Sequence, residues 1–201
     1  MTKVIKPRYF KRIVNTLRSG GVVAFATDTV FGIGVCFDNL EALNKMKAAK
    51  GRDEKKPFPL MVYDISQMHE VAFLNERDQK LVEKFTPGAL TLVLKKKEII
   101  KEEFTNGYDT IAIRIPDDEF VLRLLKEVGP MFVTSANVSG EPSASNHEEA
   151  LKQLKGKIDL IVEGKAKSGV SSTIIDGTKD ELILLREGDI SEDDIKNALA
   201  C

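Results

Sequence analysis

Residues 10–29, F-K-R-I-V-N-T-L-R-S-G-G-V-V-A-F-A-T-D-T, hold a helix, its stop, a strand and a polar turn. Phe10, Ile13, Val14 and Leu17 recur at the spacing that places them on one helical face. Gly20-Gly21 end the pattern, because glycine tolerates the left-handed backbone that closes a helix. Residues 22–26 are then a short apolar run of strand type, with Thr27-Asp28-Thr29 directly after it. Helix, glycine stop, buried strand and polar loop together are the repeating unit of layered α/β proteins.

The same grammar continues outward. A second helix is expected with Leu40, Leu43 and Met46 on one face and Asn39 as its cap. Gly51 ends it, leaving Lys50 and Arg52 at or just beyond its C-terminal end. Residues 89–94 and 110–115 read as strands, the second stopped by Pro116. Phe120, Val121, Leu124, Leu125 and Val128 mark a helix, and residues 131–134 a buried strand after Gly129-Pro130. A helix near residues 147–154, strands near 160–163, 173–176 and 182–186, and a helix from Ser191 complete the reading. Alternating strands and helices predict an α/β layer fold, in which residues 89–94 and the late strands can add antiparallel pairs. No repeat, low-complexity tract or interdomain linker is visible, so residues 1–201 are expected to form a single domain.

Composition narrows the function. Of 201 residues, 42% are apolar and 30% charged, the balance of a globular protein. Thirty Lys and Arg against thirty-one Asp and Glu leave a net charge of −1, which argues against stable non-specific duplex binding but allows a local basic site. Cys36 and Cys201 have no metal-type spacing and suit a reducing compartment. No apolar stretch approaches the ~20 residues of a membrane span, and the basic residues 1–11 lack the apolar run of a signal peptide. A cytoplasmic protein with no membrane partner is expected. His69 and His147 have no partners at metal-ligand spacing, no phosphate-binding G-x-x-x-x-G-K-[ST] loop is present, and no Ser, His and acid arrangement is visible. No protein-held metal is expected.

Four polar clusters stand at strand ends, where open α/β sheets hold ligands. Thr27-Asp28-Thr29, followed by Val30-Phe31-Gly32-Ile33-Gly34, suits either a small-molecule pocket or a locally bonded turn. Lys50, Arg52, Lys55 and Lys56 suit either a polyphosphate grip or a solvated basic helix end. Residues 134–145, rich in small hydroxyls and amides, suit either a polar ligand or a helix cap. Arg114, Ser171-Ser172-Thr173 and Arg186 suit either ligand contacts or surface pairing. Singly, none decides.

Taken in order, the motifs do. G-G-V-V-A-F-A-T-D-T-V-F-G (20–32), K-G-R (50–52), P-G-A-L-T-L-V-L (87–94), I-A-I-R-I-P (111–116), T-S-A-N-V-S-G-E-P (134–142) and S-S-T-I-I-D (171–176) resemble the YrdC-like family over nearly the whole chain. Its hallmark is the pairing of K-x-R with S-x-N. The resemblance implies a single-domain, twisted mixed sheet with flanking helices and a large basic concave cavity, the YrdC/RibB-type fold. It implies synthesis of threonylcarbamoyl-adenylate and pyrophosphate from L-threonine, bicarbonate and ATP, with Mg²⁺ accompanying ATP and no tightly bound organic cofactor. A tRNA threonylcarbamoyl-transferase partner would then consume the product, and weak direct tRNA contact is a secondary expectation.

Carried onto this sequence, the family pattern makes Lys50 and Arg52 the catalytic basic clamp. ATP falls to Arg52, Lys56, Thr110, Asn137, Ser145 and Arg186, with Ser143 nearby. Threonine falls to Thr29, Arg114, Ser135 and Ser172, Arg114 taking the carboxylate. The chain departs from the family at Ala26 and Asp53, where proline is frequent, at Phe31, where tyrosine is common, and at Met61, where some members place a threonine-contacting histidine. The length leaves no room for the extra C-terminal domain of longer members, so a short stand-alone synthase is expected. The alternative is an RNA-binding or ribosome-maturation module, or a paralogue of other substrate, using the same basic cavity.

Overall fold

The computed structural model describes residues 1–51 and 57–200. Helix boundaries fall where the capping chemistry directs them. The first helix, α1 (Phe10–Arg18), buries Phe10, Ile13, Val14 and Leu17. The second, α2 (Leu40–Lys50), starts where the Asn39 side chain accepts the Ala42 amide and stops at Gly51 in the left-handed region, φ 57°. A Cβ at Gly51 would meet nothing, so glycine is favoured there for its backbone conformation rather than for space.

Among the described residues ten strands form one sheet: β1 (Lys3–Ile5), β2 (Val23–Phe25), β3 (Gly32–Cys36), β4 (Leu60–Met61), β5 (Leu90–Lys95), β6 (Thr110–Arg114), β7 (Met131–Ser135), β8 (Leu160–Val162), β9 (Thr173–Asp176) and β10 (Ile183–Arg186). Their order is β1-β8-β2-β3-β7-β4-β6-β5-β9-β10. Pairing is mixed. β8 lies parallel to β1 and β2, and β5 parallel to β9, whereas β3 runs antiparallel to β2 and β7, and β5 to β6.

Alternation along the strands sorts the side chains into two cores. On one face Ile33, Val35, Leu60, Leu92, Ile113, Phe132 and Ile175 pack with residues of α2, α4 (Glu76–Phe85), α7 (His147–Leu154) and α8 (Glu192–Leu199). On the other, α1 and α6 (Glu119–Val128) pack on Val23, Phe25, Met61, Met131 and Val133. That second helical layer stops at the middle of the sheet. Beyond it, the same face of β6, β5, β9 and β10 forms part of the lining of an open cavity.

The segment containing Gly32 and Gly34 differs from a simple glycine-lined loop: it is the strand β3. A Cβ at Gly34 would stand 3.1 Å from both the Phe25 ring and Val133, so glycine lets the aromatic ring lie against the sheet. β1, β4, α3 (Ile65–Val71), α4 and α5 (Glu102–Thr105) were not anticipated from periodicity. The two strands and α5 span only two to four residues each, too short to show a period.

Candidate functional site

The cavity measures about 350 Å³ and draws its walls from distant parts of the chain. In β5, Leu90, Leu92 and Leu94 enter the core while Thr91 and Val93 face the cavity; in β6, Ile111 and Ile113 are core while Ala112 and Arg114 face it. A period of two thus delivers a polar residue to the cavity from strands that otherwise read as apolar.

Arg114 ends β6 and is 4% exposed. Its Nε donates to the Gly88 carbonyl (2.9 Å), Nη1 to Thr29 Oγ1 (2.7 Å) and Nη2 to Asp28 Oδ2 (2.6 Å). Burial pushes the guanidinium pKa below the usual arginine value, and the Asp28 charge opposes that shift. Asp28 Oδ2 also accepts the Asp117 amide at 3.1 Å. The turn around it is locally bonded as well. Thr27 Oγ1 donates to the Val30 carbonyl (2.7 Å) and accepts the Thr29 amide (3.1 Å). Turn and pocket wall are therefore the same residues, since Thr27, Thr29 and Val30 all line the cavity.

Ser172 and Arg186 line the same cavity. Ser172 Oγ lies 2.8 Å from Thr91 Oγ1. Arg186 donates from Nε (2.9 Å) and Nη2 (2.7 Å) to the Ser172 carbonyl, and from Nη2 to its Oγ (3.1 Å). Partial withdrawal from water, then the Arg114 charge, push the Arg186 pKa down. Two guanidinium groups facing one hydroxyl-lined cavity favour an anionic ligand over a neutral or cationic one.

Arg186 reaches the cavity through an irregularity. Leu184 pairs with Ile175 and Arg186 with Ile174, so Leu185 is an extra residue. Strict alternation would send Arg186 to the core face with Leu184. The bulge flips it onto the cavity face, beside Leu185.

Of the residues singled out in the sequence, Thr29, Arg114, Ser135, Ser172 and Arg186 line this one cavity, as does Met61. Lys50 stands behind it. Only 1% exposed, Lys50 directs Nζ to the carbonyl oxygens of Ser135 and Asn137, the latter at 2.7 Å. The K-x-R and S-x-N motifs are thus physically joined. Asn137 holds the following loop, donating from Nδ2 to the Val138 (2.9 Å) and Glu141 (2.8 Å) carbonyls. Ser145 Oγ and amide bond Glu149 at 3.0 and 2.8 Å near the start of α7. Ser143 is exposed on the same loop. Thr110 shares the cavity side of β6 with Arg114 but starts the strand, roughly 13 Å away. Arg52, Asp53, Lys55 and Lys56 lie outside the described residues.

Sequence reasoning passed over Asp28 as the partner of Arg114 and Thr91 as the partner of Ser172. Thr91 had a legible signal, the lone polar position in an otherwise apolar run at residues 90–94. Among the described residues no group of three or more His, Cys, Asp or Glu is placed to hold a metal ion, and no helix is long and apolar enough to cross a membrane.

Known proteins share the fold of this chain. A threonylcarbamoyl-AMP synthase of Bacillus subtilis is 39% identical over 184 residues, which cover 90% of the chain and 53% of that protein. Pyrococcus abyssi Sua5, in a crystal structure complexed with L-threonine, superposes with a TM-score of 0.92 at 33% identity, covering 99% of the chain and 59% of that one. Escherichia coli YciO gives a TM-score of 0.85 at 26% identity, with 94% and 96% covered. The chain therefore spans little more than half the length of the Bacillus subtilis synthase and of Pyrococcus abyssi Sua5. Residues 15–188 match the family model Sua5/YciO/YrdC, described as "Telomere recombination", and the chain belongs to that family.

Proposed function

We propose that the chain is a threonylcarbamoyl-AMP synthase, a nucleotidyltransferase working as one domain with L-threonine, bicarbonate and ATP. The observation that carries the proposal is the pair Arg114 and Arg186 lining one hydroxyl-rich cavity. A carboxylate and a phosphate are two anions that such a cavity serves at once. Relatives named for this activity, and one solved with threonine, supply the substrate class.

In this reading threonine's carboxylate meets Arg114, with Thr29, Ser135 and Ser172 ordering its polar groups. The amine takes up bicarbonate with loss of water, giving a carbamate. A carbamate oxygen attacks the α-phosphorus of ATP, and the bond to the bridging oxygen breaks to release pyrophosphate. Arg186, with Arg52, Lys56, Thr110, Asn137, Ser143 and Ser145, is assigned to the nucleotide. Lys50 completes the basic clamp by holding the Ser135–Asn137 backbone. No protein nucleophile is needed, because positioning and charge neutralisation can carry such a transfer.

Mg²⁺ enters as part of the ATP substrate. The described lining residues include no carboxylate, so they fit a metal carried on phosphate oxygens and water rather than a protein cage. The product, a reactive mixed anhydride, is passed to a transferase that modifies adenosine in tRNA, in the cytoplasm.

The test is pyrophosphate release from ATP with Mg²⁺ and bicarbonate, with and without L-threonine. Release that depends on both threonine and bicarbonate, with an adenylate product of the matching mass, is the expected result. Folded protein that releases none sinks the reading.

A further inference from the structure

The cavity lining changes character across Arg114. β6 lies between β5 and β4 in the sheet. On the β5 side the lining is Thr91 and Ser172, whose hydroxyl oxygens stand 2.8 Å apart. On the β4 side Met61 pairs with Arg114 in parallel register. Paired residues on neighbouring strands put their side chains on one face, with backbones about 5 Å apart.

Beyond Met61 the apolar wall continues. Met61 pairs with Met131 of β7, and the Val133 amide donates to the Pro59 carbonyl at 3.1 Å. Pro59, Met61 and Val133 all line the cavity. Met61 and Val133 are also members of the core beneath α1 and α6, and both are buried. The core therefore fixes Met61 where the helical layer stops, leaving a small apolar surface for the cavity. An amino acid whose carboxylate sits on Arg114 meets hydroxyls on one flank and a thioether on the other. The β-carbon of L-threonine carries one group for each flank, a hydroxyl and a methyl. Methionine suits the methyl, because its thioether is unbranched and polarisable and offers no hydrogen-bond donor.

We propose that Met61 determines the side-chain specificity of the amino-acid site, packing on the γ-methyl of L-threonine while Thr91 and Ser172 bond the γ-hydroxyl. The inference rests on the synthase reading for its ligand and adds the basis on which threonine is preferred to serine. Serine keeps the hydroxyl but leaves Met61 uncovered, and one methyl in an apolar pocket is worth roughly 10–200-fold. Valine has the shape of threonine but leaves the hydroxyl partners unpaired, which such a site rejects on the order of 10⁴-fold. L-allo-Threonine exchanges the two groups and mismatches both flanks.

The experiment measures pyrophosphate release by the full chain with ATP, Mg²⁺ and bicarbonate, giving kcat/KM for threonine, serine, valine and L-allo-threonine. Calorimetric titration with threonine and with serine runs in parallel. The wild-type protein is expected to prefer threonine to serine by roughly tenfold or more and to leave valine and L-allo-threonine nearly unused. Met61→Ala should lower the threonine-to-serine ratio by roughly tenfold, weakening threonine more than serine. A residue that only packs the core would weaken both together and leave the ratio unmoved. Met61→Leu, apolar and close in volume, should preserve the preference, whereas Met61→Gln, of similar length with a polar end, should lose it. Urea melts identify the folded variants, and the leucine and glutamine pair carries the comparison if Met61→Ala does not fold.

Three results overturn the proposal: a threonine-to-serine ratio in folded Met61→Ala equal to wild type, equal ratios in the leucine and glutamine variants, or wild-type use of valine or L-allo-threonine on a par with threonine. Failure of the synthase reading shows differently, as no release with any amino acid from folded wild-type protein. The titration then decides. Threonine binding that exceeds serine binding in wild type but not in the Met61→Ala or Met61→Gln variant keeps the specificity assignment, and absence of binding removes it.

Discussion

Arg114 sits on an interior strand of the sheet, 4% exposed, with Nε, Nη1 and Nη2 each bonded to a different fixed oxygen. Arg186 sits on the edge strand β10, exposed, and among the described residues its bonds converge on Ser172 alone. The first is locked in place by a buried carboxylate; the second is held by one neighbour at a bulge. Buried, multiply bonded groups are pre-organised and costly to disturb, whereas a rim group is cheap to remove and free to adjust to its ligand. One cavity thus combines a rigid guanidinium with an adaptable one.

The largest expected effect tests the rigid side. Arg114→Ala strands Asp28, whose Oδ1 already lacks a hydrogen-bond partner among the described residues. Breaking such a buried pair costs about 3–5 kcal/mol, so both stability and activity should collapse. A denaturant midpoint equal to wild type would show that Arg114 is not locked as described.

Arg186→Ala comes next. Its denaturation free energy should stay within about 1 kcal/mol of wild type, while the KM for ATP should rise on the order of tenfold or more as a charge-assisted contact is lost. Steady-state kinetics beside urea melts separates the two. A large stability loss with unchanged KM would make Arg186 a structural residue and erase the contrast.

Ser172→Ala should do less. It removes the hydroxyl shared with Thr91 and Arg186 but leaves the carbonyl that Arg186 mainly uses. A cost of about 1 kcal/mol and a severalfold change in KM are expected. If its KM effect exceeds that of Arg186→Ala, Ser172 touches substrate more directly than Arg186 does.

The smallest effect concerns the half of the same sheet face that α1 and α6 cover. Cys36 is buried there and its thiol pKa is pushed up to about 11, by burial first and then by Asp38. The thiolate fraction at pH 8 is then on the order of a thousandth. Iodoacetamide should leave native protein unlabelled at this position by mass spectrometry. Rapid labelling would show that the helical layer opens.

Much of this architecture was readable from local chemistry. Asn39, Gly51 and Ser191 marked helix ends because caps act within three or four residues. Threonine, arginine and serine at strand ends pointed to the cavity because open sheets leave those ends free. The partly unread stretch, residues 57–86, contains α4 with a complete Asn75–Asp78 capping box, a signal that was present, and the two-residue β4, which carries no period at all.

Other facts belonged to the fold alone. Whether Lys50 faces a phosphate or the backbone of residues 135–137 depends on where β7 lies relative to α2, more than eighty residues away in sequence. Which face receives Arg186 depends on the Leu185 bulge, set by pairing with β9. The sequence by itself determined the α/β class, the helix caps and the identity of the polar clusters, since these rest on periodicity and contacts a few residues apart. Strand order, the half-covered sheet face and the meeting of Arg114 with Asp28 and Arg186 with Ser172 were decided by tertiary structure. These features depend on long-range strand pairing, register and helix packing, which a local residue pattern does not specify.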